Sequence, residues 1–432
     1  MESTDSKKDR IFALVDVNNF YVSCERLFRP DLKGKAVVVM SNNDGCAVSR
    51  SEEAKALGIR MGMPVFQARD LLNGKELITL SSNYTVYGDL SLRFQEVLET
   101  FCPDVEPYSI DESFLELTSI TRAKVDLIAY GKEIKSRVEQ WLGLPVCVGL
   151  GSTKTLAKVA NYLAKENKER EGVFFIGTGE NTKTVLSNVP VSEIWGIGPA
   201  YQGLLASIGV RNAWEFSQLR KDWIRKNMTV VGLRTAYELT GYACYEIENL
   251  PQTKKEIVVA RAYGERIQDL ESLIEATCTY LTRAVEKLWK EDRYARTLTI
   301  YIRTDPFKTD EKQYSQAVRV EIPVATRSLF ELQDYCIQSL KQIYRPDVLY
   351  KKSGVMLSDL VSEDQIQNDL FYTESNDRLT EAVVGINKLF YSGKIRTAIT
   401  GFGKRNWRMR RGTISPYFTS NWKDIPVISV NS

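Results

Sequence analysis

The sequence predicts a multidomain α+β protein with two βαββαβ units and a helical segment between them. Its 432 residues exceed the size of an ordinary domain, and at about 150 residues per domain the length suggests three or four domains. One predicted succession of strands and helices occupies residues 10–175, and a second occupies residues 257–361. A glycine-rich turn between them is typical of two packed helices. Several linked domains are therefore expected.

The composition excludes several classes of chemistry. The chain contains no histidine, which removes histidine-dependent triads, imidazole bases and histidine-ligated metals. Its seven cysteines are scattered and include no Cys-x-x-Cys, so neither a disulfide framework nor a zinc site is predicted. No apolar run approaches the ~18 residues needed to span a bilayer. A reducing cytosol and no membrane contact are expected.

The remaining side chains favour phosphoryl transfer on magnesium. Carboxylates, lysines, tyrosines and serines must carry the chemistry, and magnesium-assisted phosphoryl transfer depends mostly on positioning and charge neutralisation. Basic and acidic residues number 58 and 55, for a net charge of +3. Because this balance is even, any surface that binds a polyanion must be local.

An acid lies near the end of the first predicted strand. Ile11–Val17 is an apolar run that contains Asp16, a pattern typical of a buried strand. A lone buried carboxylate is costly unless it is paired or binds a metal. A helix is expected over residues 20–28, which places Tyr21 five residues after Asp16.

A small β-rich insertion follows. Strands are predicted at residues 35–40 and 46–49, on either side of a turn at residues 41–45. Ser49-Arg-Ser-Glu52 has capping-box spacing, which predicts a short helix that stops at Gly58. Lys55 would be exposed on this helix, and taken alone it is equally well explained as solvated surface.

An adjacent pair of carboxylates, Asp111 and Glu112, lies within the alternating apolar stretch Tyr108–Leu117. The pattern predicts a β-hairpin with the acids at its tip, although an arbitrary Asp-Glu pair is usually a solvated turn. The neighbouring elements favour a metal site. Helices are predicted at residues 84–101 and 122–142, and a strand at residues 145–150. This ferredoxin-like order brings Asp16 beside the hairpin tip, where the three acids are expected to bind two divalent ions.

Residues 189–209 predict a helix-hairpin-helix. Its two helices are joined by Gly196, Ile197 and Gly198, and glycines let backbone amides approach a phosphate closely. Contacts of this kind do not depend on base identity. A plain glycine turn between packed helices stays open as the alternative. The polar residues 248–256 are predicted to be an interdomain linker.

A second βαββαβ unit begins at about Ile257. Strands are predicted at residues 257–263, 296–303, 314–322 and 350–361, with helices at 271–290 and 326–344. Arginines on or beside these strands are candidates for contacts with duplex phosphates. They are Arg261, Arg266, Arg293, Arg296, Arg303 and Arg319. About half of them are equally well explained as solvated residues.

Four short motifs occur along the chain in a characteristic order. They are Asp16-Val-Asn-Asn-Phe-Tyr21, Ser109-Ile-Asp-Glu112, Gly151-Ser-Thr-Lys-Thr-Leu-Ala-Lys-Val-Ala160 and Ala164-Lys165. Each is weakly specific alone, but together they resemble the active-site motifs of Y-family DNA polymerases. That resemblance implies a right-hand polymerase. Its parts would be a palm at residues 10–175 with fingers inserted at about 30–80, a helix-hairpin-helix thumb at 176–247, a linker at 248–256, a little finger at 257–361 and a tail at 362–432.

The resemblance implies a metal role for four matched residues. Asp16 and Asp111 would be catalytic ligands of both of two Mg²⁺ ions. Glu112 would be a catalytic ligand of one ion, and the carbonyl of Val17 would bind the other.

The resemblance also implies how the incoming dNTP is held. Phe20 and Tyr21 would contact the nucleotide, with Tyr21 as a steric gate whose ring excludes a ribonucleotide 2′-OH. The alternative for Tyr21 is a core aromatic residue on a helix face. Ser49, Lys55 and Lys165 would hold the triphosphate. Primer-template DNA would be bound by the glycine turn of the thumb and by little-finger arginines, including Arg261 and Arg303.

Three positions depart from the family pattern. Glu52 stands where the family commonly has a phosphate-contacting tyrosine, Asn18 replaces a frequent acid, and Glu166 interrupts a usual Lys-Pro-Asn-Gly. How the triphosphate is held beside Glu52 is therefore left open.

The C-terminal residues resemble the UmuC-type branch of the family. Gln367-Asn-Asp-Leu-Phe371 is similar to the pentapeptide by which bacterial polymerases bind the sliding clamp, with Leu370 and Phe371 in an apolar pocket and Gln367 at its rim. A helix is predicted near residues 379–390. The basic-aromatic run Lys404–Arg411 is otherwise explained by nonspecific nucleic-acid attraction or by solvation. The likeness implies a UmuD′-type dimer, the clamp and a RecA filament as partners, in the cytoplasm of a bacterium, at the nucleoid.

Two functions of different classes follow. The leading hypothesis is an error-prone, template-directed DNA polymerase for translesion synthesis in the SOS response, which transfers a nucleotide from a dNTP to a primer 3′-OH. The alternative is a noncatalytic DNA-binding or checkpoint scaffold that retains the polymerase fold. Three clustered carboxylates argue against a scaffold, because they repel one another without metal. A nucleotide cyclase on the same palm would need neither a helix-hairpin-helix nor a clamp motif.

Overall fold

The computed structural model describes residues 10–72, 74, 76–122, 124–177, 179–248, 253–367, 377–390, 393–401, 403 and 405–427. Contacts divide the chain into two units. The first contains residues 1–40, 46–251 and 413–432, and the second contains residues 41–45 and 252–412. The division at 251/252 lies inside the predicted linker. The C-terminal segment at residues 362–432, predicted as a clamp-binding stretch and a partner-binding tail, is divided between the two units at 412/413.

The first unit contains eight named strands and eleven helices within its described residues. The strands are β1 (Phe12–Val17), β2 (Val37–Met40), β3 (Ala47–Arg50), β4 (Ile78–Ser81), β5 (Val105–Pro107), β6 (Glu112–Glu116), β7 (Val146–Gly151) and β8 (Val173–Ile176). The helices are α1 (Phe20–Phe28), α2 (Glu52–Ala56), α3 (Val65–Leu72), α4 (Tyr84–Glu99), α5 (Thr118–Arg122), α6 (Leu127–Leu142), α7 (Lys154–Glu166), α8 (Glu180–Ser187), α9 (Pro199–Ser207), α10 (Ala213–Ser217) and α11 (Lys221–Leu239).

A five-stranded sheet with the order β5-β6-β1-β7-β8 forms the centre of this unit. All six residues of β1 are buried, as expected for a central strand with a continuous apolar run. Antiparallel pairing places Asp16 opposite Glu112, and the amide of Val17 donates to the carbonyl of Asp111 at 2.9 Å. The prediction that the first strand ends beside the acidic hairpin is confirmed.

Two local predictions in this sheet layer need correction. Strand β5 ends at Pro107, so Tyr108 and Ile110 lie in the turn rather than in a strand, and Glu112 begins β6. The helix predicted over residues 122–142 begins five residues later, and a separate short helix, α5, ends at Arg122. Helix α6 begins only at Leu127, where the carboxylate of Asp126 accepts hydrogen bonds from two amides of the first turn.

The three-stranded sheet β3-β2-β4 and helices α2 and α3 form the inserted region. The capping-box prediction was wrong in its register. Ser51 is the N-cap of α2 and accepts from the amide of Ala54, whereas Ser49 lies in β3, opposite Val39. Strand pairing therefore continues past Ser49, and the helix starts two residues later than the capping-box spacing indicated.

Of the two helices predicted for the helix-hairpin-helix, the second is present as α9, and the first is reduced to a short turn. Residues 191–193 form a single 3₁₀ turn, and α9 follows the glycine turn. Gly196 has φ +88°, a left-handed backbone conformation that glycine adopts without strain. Ile197 is buried in the core formed by α7 to α11, and its amide donates to the carbonyl of Ile194 at 3.0 Å.

The second unit has the predicted βαββαβ order with a helix added after it. Its strands are β9 (Glu256–Ile267), β10 (Tyr294–Thr304), β11 (Ser315–Thr326) and β12 (Tyr350–Val361), in the sheet order β11-β10-β12-β9. Its helices are α12 (Leu270–Lys290), α13 (Leu329–Ile343) and α14 (Asp377–Leu389). Helices α12 and α13 share one apolar core with the sheet, so one sheet face is covered.

The basic-aromatic run of the tail packs against the second unit. Arg405 is buried and forms an ion pair with Glu275 at 2.8 Å, and Trp407 packs edge-on against Tyr280 at 5.9 Å. Arg405 and Trp407 therefore stabilise the domain core, and solvation or nucleic-acid attraction can explain only the exposed Arg408, Arg410 and Arg411 of the same run. Lys404 lies outside the described residues. Within the described part of the chain, no helix is both long and apolar enough to cross a membrane.

Candidate active site

A cleft of 410 Å³ lies in the first unit, beside the carboxyl end of β1. It is lined by eight residues for which metal or nucleotide roles were predicted, namely Asp16, Val17, Phe20, Tyr21, Ser49, Lys55, Asp111 and Lys165. Elements far apart in sequence supply them: β1, α1, β3, α2, the hairpin turn and α7. Glu112 is not part of the lining.

Asp16 is a buried carboxylate held by a lysine. Its side chain accepts a hydrogen bond from Lys165 Nζ at 2.5 Å, and the residue is only 8% exposed. Burial, together with the smaller effect of the neighbouring Glu112, raises the pKa of Asp16 to about 7, although Lys165 opposes both effects. A nearby cation would stabilise the ionised form of such a carboxylate.

Glu112 is paired with Lys158, a residue that sequence reasoning did not assign. Lys158 Nζ lies 3.1 Å from the Glu112 carboxylate and 4.4 Å from the ring centroid of Tyr108. Trp195 also faces this ammonium group and donates its ring N–H to Tyr108 Oη at 3.1 Å. Aromatic faces stabilise a cation, so Lys158 is fixed beside Glu112. Lys158 lies seven residues before Lys165 on α7, so both lysines are on one helix face. This spacing is a sequence signal from which Lys158 could have been predicted as a site residue.

Helix α7 carries these two lysines because it lies directly on β7. A Cβ atom at Gly149 would lie 2.1 Å from the amide nitrogen of Asn161. Only glycine at this strand position allows the helix backbone to approach so closely. Gly149 therefore sets the height of Lys158 and Lys165 above the sheet.

Asp111 lies in the hairpin turn and is oriented by Ser109. The Ser109 hydroxyl donates to Asp111 Oδ1 at 2.6 Å and accepts from the amides of Asp111 and Glu112. Within the described ranges, no group of three or more histidine, cysteine, aspartate or glutamate side chains is arranged to hold a metal ion. Pairing of β1 with β6 thus brings the backbones of the three predicted acids together, and their side chains contact Lys165, Ser109 and Lys158.

Tyr21 lies against a second tyrosine. Its ring stacks on that of Tyr87 with centroids 4.4 Å apart and planes 14° apart, and Tyr84 packs edge-on at 6.1 Å. Burial raises the pKa of Tyr21 to about 12, with further contributions from Tyr84 and Asp111. Phe20 is buried behind it. Tyr21 is therefore both part of a packed aromatic cluster and part of the cleft wall.

Glu52, the position that departs from the family pattern, is connected to Lys55. Its carboxylate accepts from Lys55 Nζ at 2.7 Å and from the Asn19 side chain at 2.8 Å. Although burial acts in the opposite direction, these hydrogen bonds lower the pKa of Glu52. Ser49 Oγ donates to the carbonyl of Asn19 at 3.2 Å. Glu52 therefore positions Lys55 and Asn19 at the side of the cleft where the sequence left the phosphate contacts open.

The predicted DNA-binding arginines lie on different faces of the second sheet. Arg261 is opposite Ser353, a buried residue whose hydroxyl contacts Thr277 on α12, so this register lies on the helix-covered face. Arg303 is exposed and opposite Lys352, on the open face. Of the clamp-binding candidates, Gln367 is exposed, while Leu370 and Phe371 lie outside the described residues.

Replacing Asp16 with asparagine is expected to change how stability depends on pH. The pKa of Asp16 is about 7 in the folded chain against an ordinary value of 3.8. The folded state therefore holds a proton that the unfolded state releases, and the free energy of unfolding of the parent falls as pH rises through this window. The Asp16→Asn variant lacks this loss, so its free energy of unfolding should rise relative to that of the parent between about pH 4 and about pH 7. Urea denaturation in EDTA measures it, and parallel pH profiles would contradict the expectation.

Three segments of the chain match known protein families. Residues 15–162 match the impB/mucB/samB family, residues 254–370 match the C-terminal domain of that family, and residues 377–428 match a domain of unknown function. The ImpB protein of Salmonella typhimurium is 39% identical over 96% of this chain and 99% of its own length. The UmuC protein of Salmonella typhimurium is 37% identical over 96% of this chain and 99% of its own length.

The chain belongs to the UmuC-type Y-family DNA polymerases. A DNA polymerase IV from Desulfatibacillum aliphaticivorans is 29% identical over 91% of this chain and 98% of its own length. A chimeric Y-family DNA polymerase shares the fold at a TM-score of 0.64, with 20% identity, covering 82% of this chain and 100% of that structure.

Membership of this family gives the protein an activity and its substrates. It is a translesion DNA polymerase that acts on DNA and deoxynucleoside triphosphates. Y-family polymerases are metal-dependent as a class. The cleft beside Asp16 is lined by eight of the nine residues of this chain that were predicted to bind metal or nucleotide, all but Glu112.

Proposed function

We propose that this Y-family polymerase joins a dNTP to a primer 3′-OH at the Asp16 cleft, with two Mg²⁺ ions. Asp16 and Asp111 would bind both ions, while Glu112 and the Val17 carbonyl would bind one each. The observation that carries the proposal is the buried Asp16 carboxylate, whose pKa is raised beside Glu112 and which is held by Lys165. Such a site favours added positive charge.

The donor atoms of this site fit magnesium. All are oxygens, from three carboxylates and one carbonyl, which is the ligand set that this hard cation prefers. When bound, the ions supply charge neutralisation for in-line displacement at phosphorus. Asp16 and Glu112 face each other on β1 and β6. Rotation of their side chains would move the carboxylates away from Lys165 and Lys158 and towards a shared metal ion.

The residues around the acids would bind and orient the nucleotide. Lys165 and Lys55 would hold the triphosphate as mobile positive charges once they leave Asp16 and Glu52. Tyr21 would act as a steric gate beside the sugar, as its place in the cleft wall allows. Lys158, held between Glu112 and Tyr108, would stay as a fixed charge on the other side of the acids.

DNA would be held at the thumb turn and at the open face of the second sheet. Exposed Arg303 and its cross-strand neighbour Lys352 lie on that open face. The pKa of Lys352 is lowered by burial and by the nearby arginines, so a polyanion there would relieve repulsion between the basic side chains. Arg261, on the covered face, is the weaker candidate.

We further propose that the enzyme serves the SOS response at the bacterial nucleoid, with a UmuD′-type dimer, a RecA filament and the sliding clamp. The support is its likeness to UmuC over nearly the full length. Gln367–Phe371 would bind the clamp.

Primer extension tests the two-ion proposal against the noncatalytic scaffold. The full chain, with and without its proposed partners, is incubated with primer-template, dNTP and Mg²⁺, and DNA binding is followed in parallel by fluorescence anisotropy. Extension should rise with roughly the second power of Mg²⁺ concentration below saturation, because two ions are required. A first-power dependence would contradict the second ion. DNA binding without extension under every condition would favour the scaffold.

A further inference from the structure

The last described segment of the tail is built into the first unit. Thr413 exchanges two hydrogen bonds with Ser81, one from its amide to Ser81 Oγ and one to its carbonyl from the Ser81 amide, both at 3.1 Å. Further on, the ring of Phe418 stacks on that of Phe28, with centroids 4.5 Å apart and planes 13° apart. Residues 413–418, called the tail strap below, therefore contact both β4 and α1.

The tail strap is also bonded to the start of helix α4. Asn83 is fully buried and its side-chain amide donates to Ser415 O, Ser415 Oγ and Pro416 O, each at 3.1 Å. The carbonyl oxygen of the same side chain caps α4 by accepting from the amide of Val86. One side chain thus joins the strap to the first turn of the helix that carries Tyr84 and Tyr87.

A buried glutamate connects the strap to the aromatic cluster. Glu25 is 1% exposed, and its Oε1 atom accepts from Ser415 Oγ at 3.0 Å and from Tyr87 Oη at 2.6 Å. Tyr87 is fully buried and stacks on Tyr21. The contacts form a continuous path, Ser415 to Glu25 to Tyr87 to Tyr21, and none of its first three members lines the cleft.

We propose that Ser415 is a positioning residue for nucleotide selection, acting through Glu25 and Tyr87 on the ring of Tyr21. This inference rests on the proposed role of Tyr21 as the steric gate. A stacked ring pair has a preferred offset and plane, so the orientation of Tyr87 sets that of Tyr21. The Tyr87 hydroxyl in turn donates to the Glu25 carboxylate, whose direction Ser415 helps to fix. The tail of the chain thereby positions the one side chain of the cleft wall that is proposed to discriminate the sugar.

A purely structural strap would act differently from a positioning strap. If the strap only stabilised the first unit, its loss would lower incorporation of deoxynucleotides and ribonucleotides by the same factor. A displaced gate changes the ratio, because a small shift of the ring admits the 2′-OH and has little effect on a sugar that lacks it. The selectivity ratio therefore separates the two roles, whatever happens to total activity.

The test is a double-mutant cycle in the full-length chain. Ser415→Ala, Tyr87→Phe and the double variant are compared with the parent for kcat/KM with one dNTP and the matching ribonucleotide. Each single variant should lower the dNTP preference by about fivefold, the effect of one hydrogen bond. Because both act through Glu25, the double variant should lower it no further than the stronger single one. Val427→Ser, an exposed position in the same tail, should match the parent.

Each other outcome has a distinct meaning. Tyr21→Ala is run in the same assay: if it leaves the sugar preference unchanged, the gate itself is refuted. If Tyr21→Ala relaxes the preference but Ser415→Ala retains the parent ratio, the strap inference is overturned and the gate stands. Equal loss with both nucleotides, or additive effects in the double variant, would likewise overturn it. Thermal melting of every variant identifies unfolding as a cause.

Discussion

Primer extension by an Asp111→Ala variant is expected to fall at least about a thousandfold, the scale seen when a group essential to catalysis is removed. Asp111 is proposed to bind both metal ions, and no neighbouring acid on the hairpin turn can take its place at that position. The substitution leaves the fold intact, because the Asp111 carbonyl keeps its hydrogen bond from the Val17 amide at 2.9 Å. The loss should therefore fall on kcat, with DNA affinity unchanged.

A radiolabelled primer extended under single-turnover conditions measures this loss, with anisotropy for DNA binding and a thermal melt for folding. Glu99→Ala is the matched control, since it removes an exposed carboxylate of the same unit at the end of α4. It should extend primers at the parent rate. Parent-like extension by Asp111→Ala would refute the proposed ligand role, and loss of DNA binding would show that the variant is misfolded.

Local patterns predicted the strands that carry two residues of the candidate active site. The apolar run of β1 and the alternation after Glu112 each indicate one strand, and the order of elements makes these strands neighbours. Asp16 and Glu112 are accordingly paired across the sheet. Periodicity works here because burial on a sheet imposes it directly on the sequence.

Side-chain partners were harder to predict because they depend on packing. Lys158 and Glu112 lie on different elements and are 46 positions apart in the sequence. The sequence feature that points to Lys158 as a site residue is its spacing from Lys165. Capping-box spacing pointed to Ser49, yet the pairing of Ser49 with Val39 extends β3 and leaves Ser51 as the cap. Tertiary pairing therefore decided between two serines that local rules treat alike.

The tail strap has no local signature. Ser415 and Glu25 are 390 positions apart, and neither belongs to a motif that implies the other. The strap follows the basic run that packs against the second unit, which composition alone associates with nucleic acid. Such contacts arise when the chain folds, so the local sequence around Ser415 and Glu25 does not predict them.

Replacing Tyr21 with alanine is expected to raise ribonucleotide incorporation relative to dNTP incorporation by about a hundredfold. The ring would fill the space that a 2′-OH must occupy, and sterically excluded groups produce discrimination of this order. Because the pKa of Tyr21 is raised to about 12, chiefly by burial, its hydroxyl stays neutral at working pH. Its ring, rather than a charge, must exclude the ribose.

Tyr21→Phe separates the ring from the hydroxyl. It keeps the stack on Tyr87, which lies 4.4 Å away, and removes only the polar atom, so it should keep the parent's preference for dNTPs. Competing dNTP and ribonucleotide at fixed ratio, followed by alkaline cleavage of the extended primer, counts the ribonucleotides inserted. If Tyr21→Ala discriminates as the parent does, Tyr21 is a core aromatic residue and not a gate. If Tyr21→Phe relaxes selection as strongly as Tyr21→Ala, discrimination depends on the hydroxyl and the steric explanation fails.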